Sequence, residues 1–161
     1  MVYAGGNDPQ NATLKTGAIV KGPGKLITMD GANNTIDLAA VGEIAIGVSA
    51  GDSSRTAAGT LDAAAGATAS YYPMGGVLMV QSAASMTWTT GLLVYATNLG
   101  LATTSSGSSA KVIGTYVGEG VVTGGALVAN GNSDSEQTDG ATLLLSEGTM
   151  IPVNTNGAVT A

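Results

Sequence analysis

The chain alternates short apolar runs with glycine-containing turns along most of its length. Within the runs, apolar side chains recur at every second position, which is the period of a β-strand. Ile44, Ile46 and Val48, for example, share one face of such a run. The predicted strands are 17–20, 26–29, 35–38, 43–48, 69–72, 77–81, 92–96, 111–117, 126–129, 142–145 and 150–153. This pattern predicts an all-β fold, a small β-barrel or β-sandwich of short strands with tight Gly-rich turns.

Turn-forming residues separate these runs. The Gly22-Pro23-Gly24 segment predicts a hairpin between strands 17–20 and 26–29. The best helical candidate, 61–65, is followed by Gly66, so at most one short helical turn is expected there. Four further dipeptides tolerate positive φ and mark turns: Asp30-Gly31, Asn130-Gly131, Asp139-Gly140 and Asn156-Gly157.

Two stretches of the chain resemble each other. Gly17-Ala18-Ile19-Val20 is followed by Ile46-Gly47-Val48, and Gly91-Leu92-Leu93-Val94 is followed by Ile113-Gly114-Thr115. The two spacings differ by several residues, so a duplicated β unit and a chance similarity both stay open. Several predicted strands are apolar on both faces, which favours one face on the core and the other against a partner subunit.

Three segments differ in composition. Residues 1–14 are polar and predict an extended N-terminal arm that orders against a partner or a neighbouring protomer. Residues 15–130 predict the β-rich domain. Residues 131–161 predict a polar loop, a final β-hairpin and a loose C-terminal tail.

Charged residues make up only 10% of the chain, against about 25% in ordinary soluble domains. The net charge is −6, which disfavours binding to nucleic acid or to anionic lipid. Lys15, Lys21 and Lys25 are expected on a solvated strand and turn near the N-terminus. The N-terminus lacks the pattern of a signal peptide, and no apolar run is long enough to predict a membrane span.

The residue types needed for most chemistry are missing. The chain has no His and no Cys, so the commonest general base, the commonest metal ligand and any thiol nucleophile are excluded. We therefore expect no enzymatic activity, no catalytic residue, no cofactor and no metal site.

Two weak motifs have a plainer interpretation. Gly47-Val48-Ser49-Ala50-Gly51 matches the nucleophile-elbow pattern, but no His and no following helix support it. We interpret it as a strand that ends in a turn, with a serine–lysine arrangement formally open. The spacing of Asn132, Asp134 and Glu136 is similar to that of a calcium loop without its usual Gly and final Glu, which favours a solvated loop over a bound cation.

Aromatic side chains are the candidate contact residues. Tyr71, Tyr72, Trp88, Tyr95 and Tyr116 lie within or beside the central predicted strands. Such residues either fill the core with their polar ends at the surface or anchor a subunit interface. Both interpretations stay open. The candidate interface residues are Tyr3, Tyr71, Tyr72, Trp88 and Tyr95.

The order of short phrases between about 17 and 130 resembles the capsid cement, or decoration, proteins of tailed phages. The phrases are Gly17-Ala18-Ile19-Val20, Ile46-Gly47-Val48-Ser49, Ala63-Ala64-Ala65-Gly66, Gly76-Val77, Gly91-Leu92-Leu93-Val94-Tyr95, Gly100 and Ile113-Gly114. Leu93 departs from the family pattern, which has an acidic residue there. The stretch after Asn130 also goes beyond the pattern.

This resemblance implies a small β domain that forms a homotrimer. It implies binding to the major capsid protein at capsomer junctions on the outer surface of the virion, after synthesis in the host cytoplasm. Binding there would stabilise the expanded shell. The alternative is a β-structured tail, fibre or surface-adhesion module that binds a receptor or a glycan; a hydrolase centred on Ser49 and a tail-tube subunit are further alternatives.

Overall fold

The computed structural model describes residues 3–4, 8–119, 121–123, 138–139, 142–143 and 149–157. None of these residues is helical, and the strands form antiparallel sheets, which confirms the all-β prediction. Predicted strand 126–129 and the loop with Asn132, Asp134 and Glu136 lie outside the described residues. The strands are β1 Tyr3–Ala4, β2 Gln10–Thr13, β3 Leu26–Asp30, β4 Thr35–Leu38, β5 Ala45–Ser49, β6 Thr68–Pro73, β7 Val77–Gln81, β8 Thr87–Thr89, β9 Leu93–Ala96, β10 Ala102–Thr103, β11 Gly114–Tyr116, β12 Val121–Thr123, β13 Thr138–Asp139, β14 Thr142–Leu143 and β15 Met150–Asn154.

The first unit, strands β2 to β6, is a curled five-stranded sheet with strand order β2-β6-β5-β3-β4. It curls until its two edges meet, because Leu14, directly after β2, forms a parallel bridge with Ile36 of β4. The Lys15 amide adds a hydrogen bond of 2.9 Å to the Ile36 carbonyl. Apolar side chains fill the inside of the curl: Leu14, Val20, Ile27, Ile36, Ala67, Ala69 and Tyr71.

The second unit, strands β7, β9, β10, β11 and β15, belongs to a six-stranded sheet with strand order β1-β7-β15-β11-β9-β10. Its edges meet in the same way. Ser82, directly after β7, forms a parallel bridge with Ala102 of β10, and the Ala83 amide donates to the Ala102 carbonyl at 2.8 Å. The largest buried side chains in its core are Tyr116 of β11 and Trp88 of the neighbouring strand β8.

The two units share strand order and register. Strands β2, β3, β4, β5 and β6 correspond in turn to β7, β9, β10, β11 and β15. The pairing of Ile27 with Gly47 in the first unit has its counterpart in the pairing of Val94 with Gly114 in the second. The closing parallel bridges also correspond. This agreement favours a duplicated β unit over chance similarity.

Glycine occupies the same strand position in both units. A Cβ on Gly47 would collide with the Tyr72 carbonyl, and one on Gly114 would collide with the Asn154 carbonyl. The repeated Ile-Gly phrase thus marks equivalent strands. The predicted match between Gly17-Ala18-Ile19-Val20 and Gly91-Leu92-Leu93-Val94 was wrong in its alignment. Gly91, which precedes β9, corresponds to Gly24, which precedes β3, and not to Gly17.

The predicted hairpin between strands 17–20 and 26–29 was wrong. Both edges of β3 are occupied by other strands, β4 and β5. The hairpin lies instead between β3 and β4, at the predicted Asp30-Gly31 turn, where Asn34 has a φ of 56°. Residues 17–20 carry no strand, and Val20 packs into the first unit.

Both ends of the chain contribute to the units. Residues 10–13 of the predicted arm form β2, which pairs with β6, and Leu14 is buried. Near the other end, β15 pairs with both β7 and β11 and lies inside the six-stranded sheet. Thr155 and Asn156 of the predicted tail hydrogen-bond to Gly75 and Gly76. The domain boundaries themselves stay predictions.

Candidate interaction surface

The outer face of the first unit, around Leu26, Ala39 and Val48, is buried by the second unit. All three side chains have no exposed area and belong to one cluster with the second unit's core. The turn before β10 contributes two hydrogen bonds to this contact: the Gly100 amide donates to the Ala39 carbonyl at 3.0 Å, and the Leu26 amide donates to the Gly100 carbonyl at 2.7 Å. Gly100 permits this approach, because a Cβ there would lie 2.7 Å from the Leu26 carbonyl oxygen.

Lys25 lies inside this inter-unit contact. Its ammonium group donates to the Gln81 side-chain oxygen, and the Gln81 backbone N–H donates to the Gly24 carbonyl at 2.8 Å. Burial lowers the pKa of Lys25 to about 8, while the nearby Asp52 carboxylate acts in the opposite direction. The prediction of a solvated strand was therefore wrong for Lys25, and also for the fully buried Lys21.

Ser49 is a structural hydroxyl of the same region. It is fully buried at the end of β5, donates to the Gly22 carbonyl at 3.0 Å and accepts from the Lys25 amide at 2.9 Å. The interpretation of its motif as a strand that ends in a turn is confirmed. In this position the hydroxyl ties residues 22–25 to β5 and is closed to a substrate.

The matching outer face of the second unit is open. Leu93 corresponds to Leu26 and is 46% exposed, whereas Leu26 is 0% exposed. Ser105 follows the bridge residue Ala102 in the second unit as Ala39 follows the bridge residue Ile36 in the first. Ser105 is exposed. Thr115, the counterpart of Val48, is half-buried. One face is thus covered within the chain, and no described residue covers its counterpart.

The described strands that form this open face carry no charged residue. None of the six described strands in its sheet contains Asp, Glu, Lys or Arg. The five-stranded sheet, in contrast, carries Asp30 and Asp37. An apolar, uncharged surface loses little hydration when another protein covers it, and contiguous exposed apolar patches mark interaction sites. The outward side chains on this face are Val77, Met79, Leu93, Tyr95, Thr115, Val117, Pro152 and Asn154.

The candidate aromatic residues do not gather at one site. Tyr3 lies in β1 opposite Leu78, and its side chain is outside the description. Tyr71 faces into the first unit, where its hydroxyl donates to the Gln10 side chain at 3.2 Å. Tyr72 points to the other face of β6 and packs against the core between the units.

Trp88 is a core residue, and Tyr95 is a surface residue. The Trp88 ring is fully buried, donates through Nε1 to the Ser82 hydroxyl at 2.8 Å and lies 6.0 Å from the Tyr116 ring. Tyr95 is half-buried on the open face, two residues after Leu93. The aromatic candidate residues did not point to Leu93 or Val117. The sequence signal for this surface was the set of predicted strands that are apolar on both faces.

A second surface feature is an open groove of about 430 Å³ beside β3 and β5. Met29, Ile44 and Ile46 supply its apolar lining, and Glu43 and Lys111 are its charged lining residues. Among the described residues, no three acidic side chains gather closely enough to hold a metal ion. In the same part of the chain, no helix is long and apolar enough to cross a membrane.

No protein-family model matches the sequence, and no curated protein matches it either.

Proposed function

We propose that this chain is a structural decoration protein of a tailed-phage virion, which binds the outer surface of the capsid at capsomer junctions. The observation that carries the proposal is the uncharged, partly apolar outer face of the second unit, which includes Leu93 and Val117. The order of Gly-punctuated phrases between 17 and 130 supports the same assignment.

The proposed mechanism is selective binding to the expanded shell. A protein that binds one state of the capsid and not the other stabilises the bound state by mass action. A homotrimer contributes avidity, because each protomer contacts a different capsid subunit. The chain needs no catalytic group for this role. It contributes a surface whose desolvation costs little free energy.

Co-sedimentation with phage heads tests this proposal. Purified protein is mixed with expanded empty heads and, separately, with unexpanded proheads of the same phage, and the pellets are quantified. We expect saturable binding to expanded heads and at least about tenfold weaker binding to proheads, which corresponds to about 1.4 kcal/mol. Absence of binding to either form, or recovery with isolated tails instead of heads, would contradict the proposal.

A further inference from the structure

The residues that follow β15 hold the linker between the two units. Residues 74–76 join β6 of the first unit to β7 of the second. The Gly75 amide donates to the Thr155 hydroxyl at 2.7 Å, and the Thr155 amide donates to the Gly76 carbonyl at 2.8 Å. The Asn156 side chain adds a further bond, because its Oδ1 accepts from the Gly76 amide at 2.8 Å. These contacts therefore restrain the connection between the units.

The linker depends on these hydrogen bonds for its conformation. Gly75 and Gly76 both have positive φ, at 136° and 68°. Glycine has the widest choice of backbone conformations, so two adjacent glycines lose much entropy when they are fixed in one of them. Loss of the bond from Gly76 to Asn156 is therefore expected to increase the motion of this linker.

The Asn156 side chain also lies next to a group that can attack it. Asn156 is followed by Gly157, and both residues are exposed to water. Glycine has no Cβ that would obstruct the approach of its backbone nitrogen to the preceding side chain. Within the described residues, nothing accepts a hydrogen bond from the Gly157 amide, and a Cβ built on Gly157 would meet no atom within 4 Å. Neither hydrogen bonding nor crowding by these residues therefore opposes attack of the Gly157 nitrogen on Asn156 Cγ.

The contact with Gly76 favours this attack. When a nitrogen adds to an amide carbon, negative charge develops on the amide oxygen, and a hydrogen-bond donor aimed at that oxygen stabilises the charge. The Gly76 N–H already donates to Asn156 Oδ1 at 2.8 Å, so it is placed for this role. The hydrogen bond that restrains the linker thus also activates the side chain that accepts it.

We propose that Asn156 is a site of spontaneous deamidation, and that the reaction releases the linker between the units. The Gly157 nitrogen gives its proton to water or hydroxide and bonds to Asn156 Cγ, while the bond from Cγ to Nδ2 breaks and ammonia leaves. Water then opens the resulting succinimide. Its attack at Cγ gives aspartate, and its attack at the main-chain carbonyl carbon gives isoaspartate. The reaction consumes only water and needs no enzyme.

The two products have opposite effects on the linker. Aspartate keeps a side-chain oxygen for the Gly76 amide, and its charge strengthens that hydrogen bond. Isoaspartate lengthens the main chain by the former side-chain carbon, which moves the acceptor away from the Gly76 amide. Isoaspartate formation is thus a slow change in how the two units are connected. The inference rests on these contacts and does not depend on binding to a capsid.

Peptide mapping by mass spectrometry tests the site. The purified chain is kept in mildly alkaline buffer, and aspartate and isoaspartate that form from Asn156 are quantified over time; we expect both products in the wild type. Gly157→Ala is the matched control, because its methyl group obstructs the attack without meeting a neighbour. This variant should deamidate at least about tenfold more slowly, which corresponds to a barrier higher by about 1.4 kcal/mol. An Asn156 that stays intact, or a Gly157→Ala variant that reacts at the wild-type rate, would overturn the proposed site.

Amide hydrogen exchange tests the effect on the linker. Exchange at Gly76 should be faster in the fraction that carries isoaspartate than in fresh protein, because the amide has lost its acceptor. Asn156→Asp should keep the slow exchange of fresh protein, since it retains an acceptor at the same place. Equal exchange at Gly76 in fresh and isoaspartate-containing protein would overturn the proposed release of the linker.

Discussion

The first and second units have one topology but different surroundings. In the first unit, the second unit covers the outer face at Leu26, and the ammonium group of Lys25 is buried in this contact. In the second unit, the corresponding positions are Leu93 and Leu92, both exposed and apolar. A charged residue is thus buried on the face that contacts the other unit, and apolar residues are exposed on the corresponding face of the second unit. This difference is the basis of the proposal that the second face binds a partner.

The largest expected effect is a dependence of stability on pH, which arises from the buried lysine of the first unit. The pKa of Lys25 is about 8 in the folded chain and 10.5 for an ordinary lysine, so the unfolded chain binds more protons than the folded chain between these two pH values. Stability contributed by this site therefore rises as pH rises from 8 to 10.5, by roughly 3 kcal/mol in total.

Urea unfolding of wild type and Lys25→Met across this pH range measures the effect. The wild type should gain stability relative to Lys25→Met as pH rises, because the variant lacks the buried amine. Lys111→Met, at an exposed lysine, serves as the control and should follow the wild type. A constant difference between wild type and Lys25→Met at all pH values would contradict the buried-charge account.

The paired leucines give the most direct contrast in packing. Leu26→Ala should lower the free energy of unfolding by about 3 kcal/mol, because it leaves a cavity between the units. Leu93→Ala at the equivalent position should change that free energy by less than about 0.5 kcal/mol in the dissociated protein. Chemical denaturation at low protein concentration measures both; equal losses would show that the second face is also buried within the chain.

The paired glycines should behave alike. Gly47→Ala and Gly114→Ala each force a Cβ against a neighbouring strand, so each should cost about 2 kcal/mol of unfolding free energy. Gly51→Ala is the matched control, since an added Cβ there meets nothing within 4 Å. Thermal unfolding checks the three variants, and a neutral Gly114→Ala would count against the shared register.

The parallel bridges that close the two units differ in one side chain, which is Leu14 in the first unit and Ser82 in the second. The smallest expected change in unfolding free energy concerns the hydroxyl of Ser82. Ser82 accepts from the Trp88 ring nitrogen, whereas its counterpart Leu14 is apolar. Ser82→Ala leaves the buried indole N–H unpaired and should cost about 1 to 2 kcal/mol. Near-ultraviolet circular dichroism of Trp88 and urea unfolding report the change, and Ser105→Ala at an exposed serine is the control.

Local pattern predicted the strands better than it predicted their partners. The run 77–81 appears as β7 with the predicted bounds, and the Asp30-Gly31 turn lies where it was predicted. Two-residue alternation and turn chemistry are local properties, so one sequence is enough to detect them. The segment 17–20 has a strand-like composition but covers the inside of the first unit, because the neighbouring positions beside β3 are already taken.

The interaction surface needed long-range information. Nothing local distinguishes Leu26 from Leu93, since both are leucines at the start of a strand after a glycine-containing turn. Burial of Lys25 depends on the approach of β7, which is distant in sequence. Two-faced apolar strands predicted that some outer face meets a partner, but the fold was required to show which of the two faces is already covered.

The molar mass of the purified protein in solution tests the central claim most directly. Light scattering behind size exclusion, over a wide range of concentrations, should give a multiple of the 15.6 kDa chain mass for the wild type. Leu93→Asp should elute at 15.6 kDa and remain folded by circular dichroism. A wild-type protein that stays monomeric at every concentration, or a Leu93→Asp variant with the wild-type mass, would contradict the account.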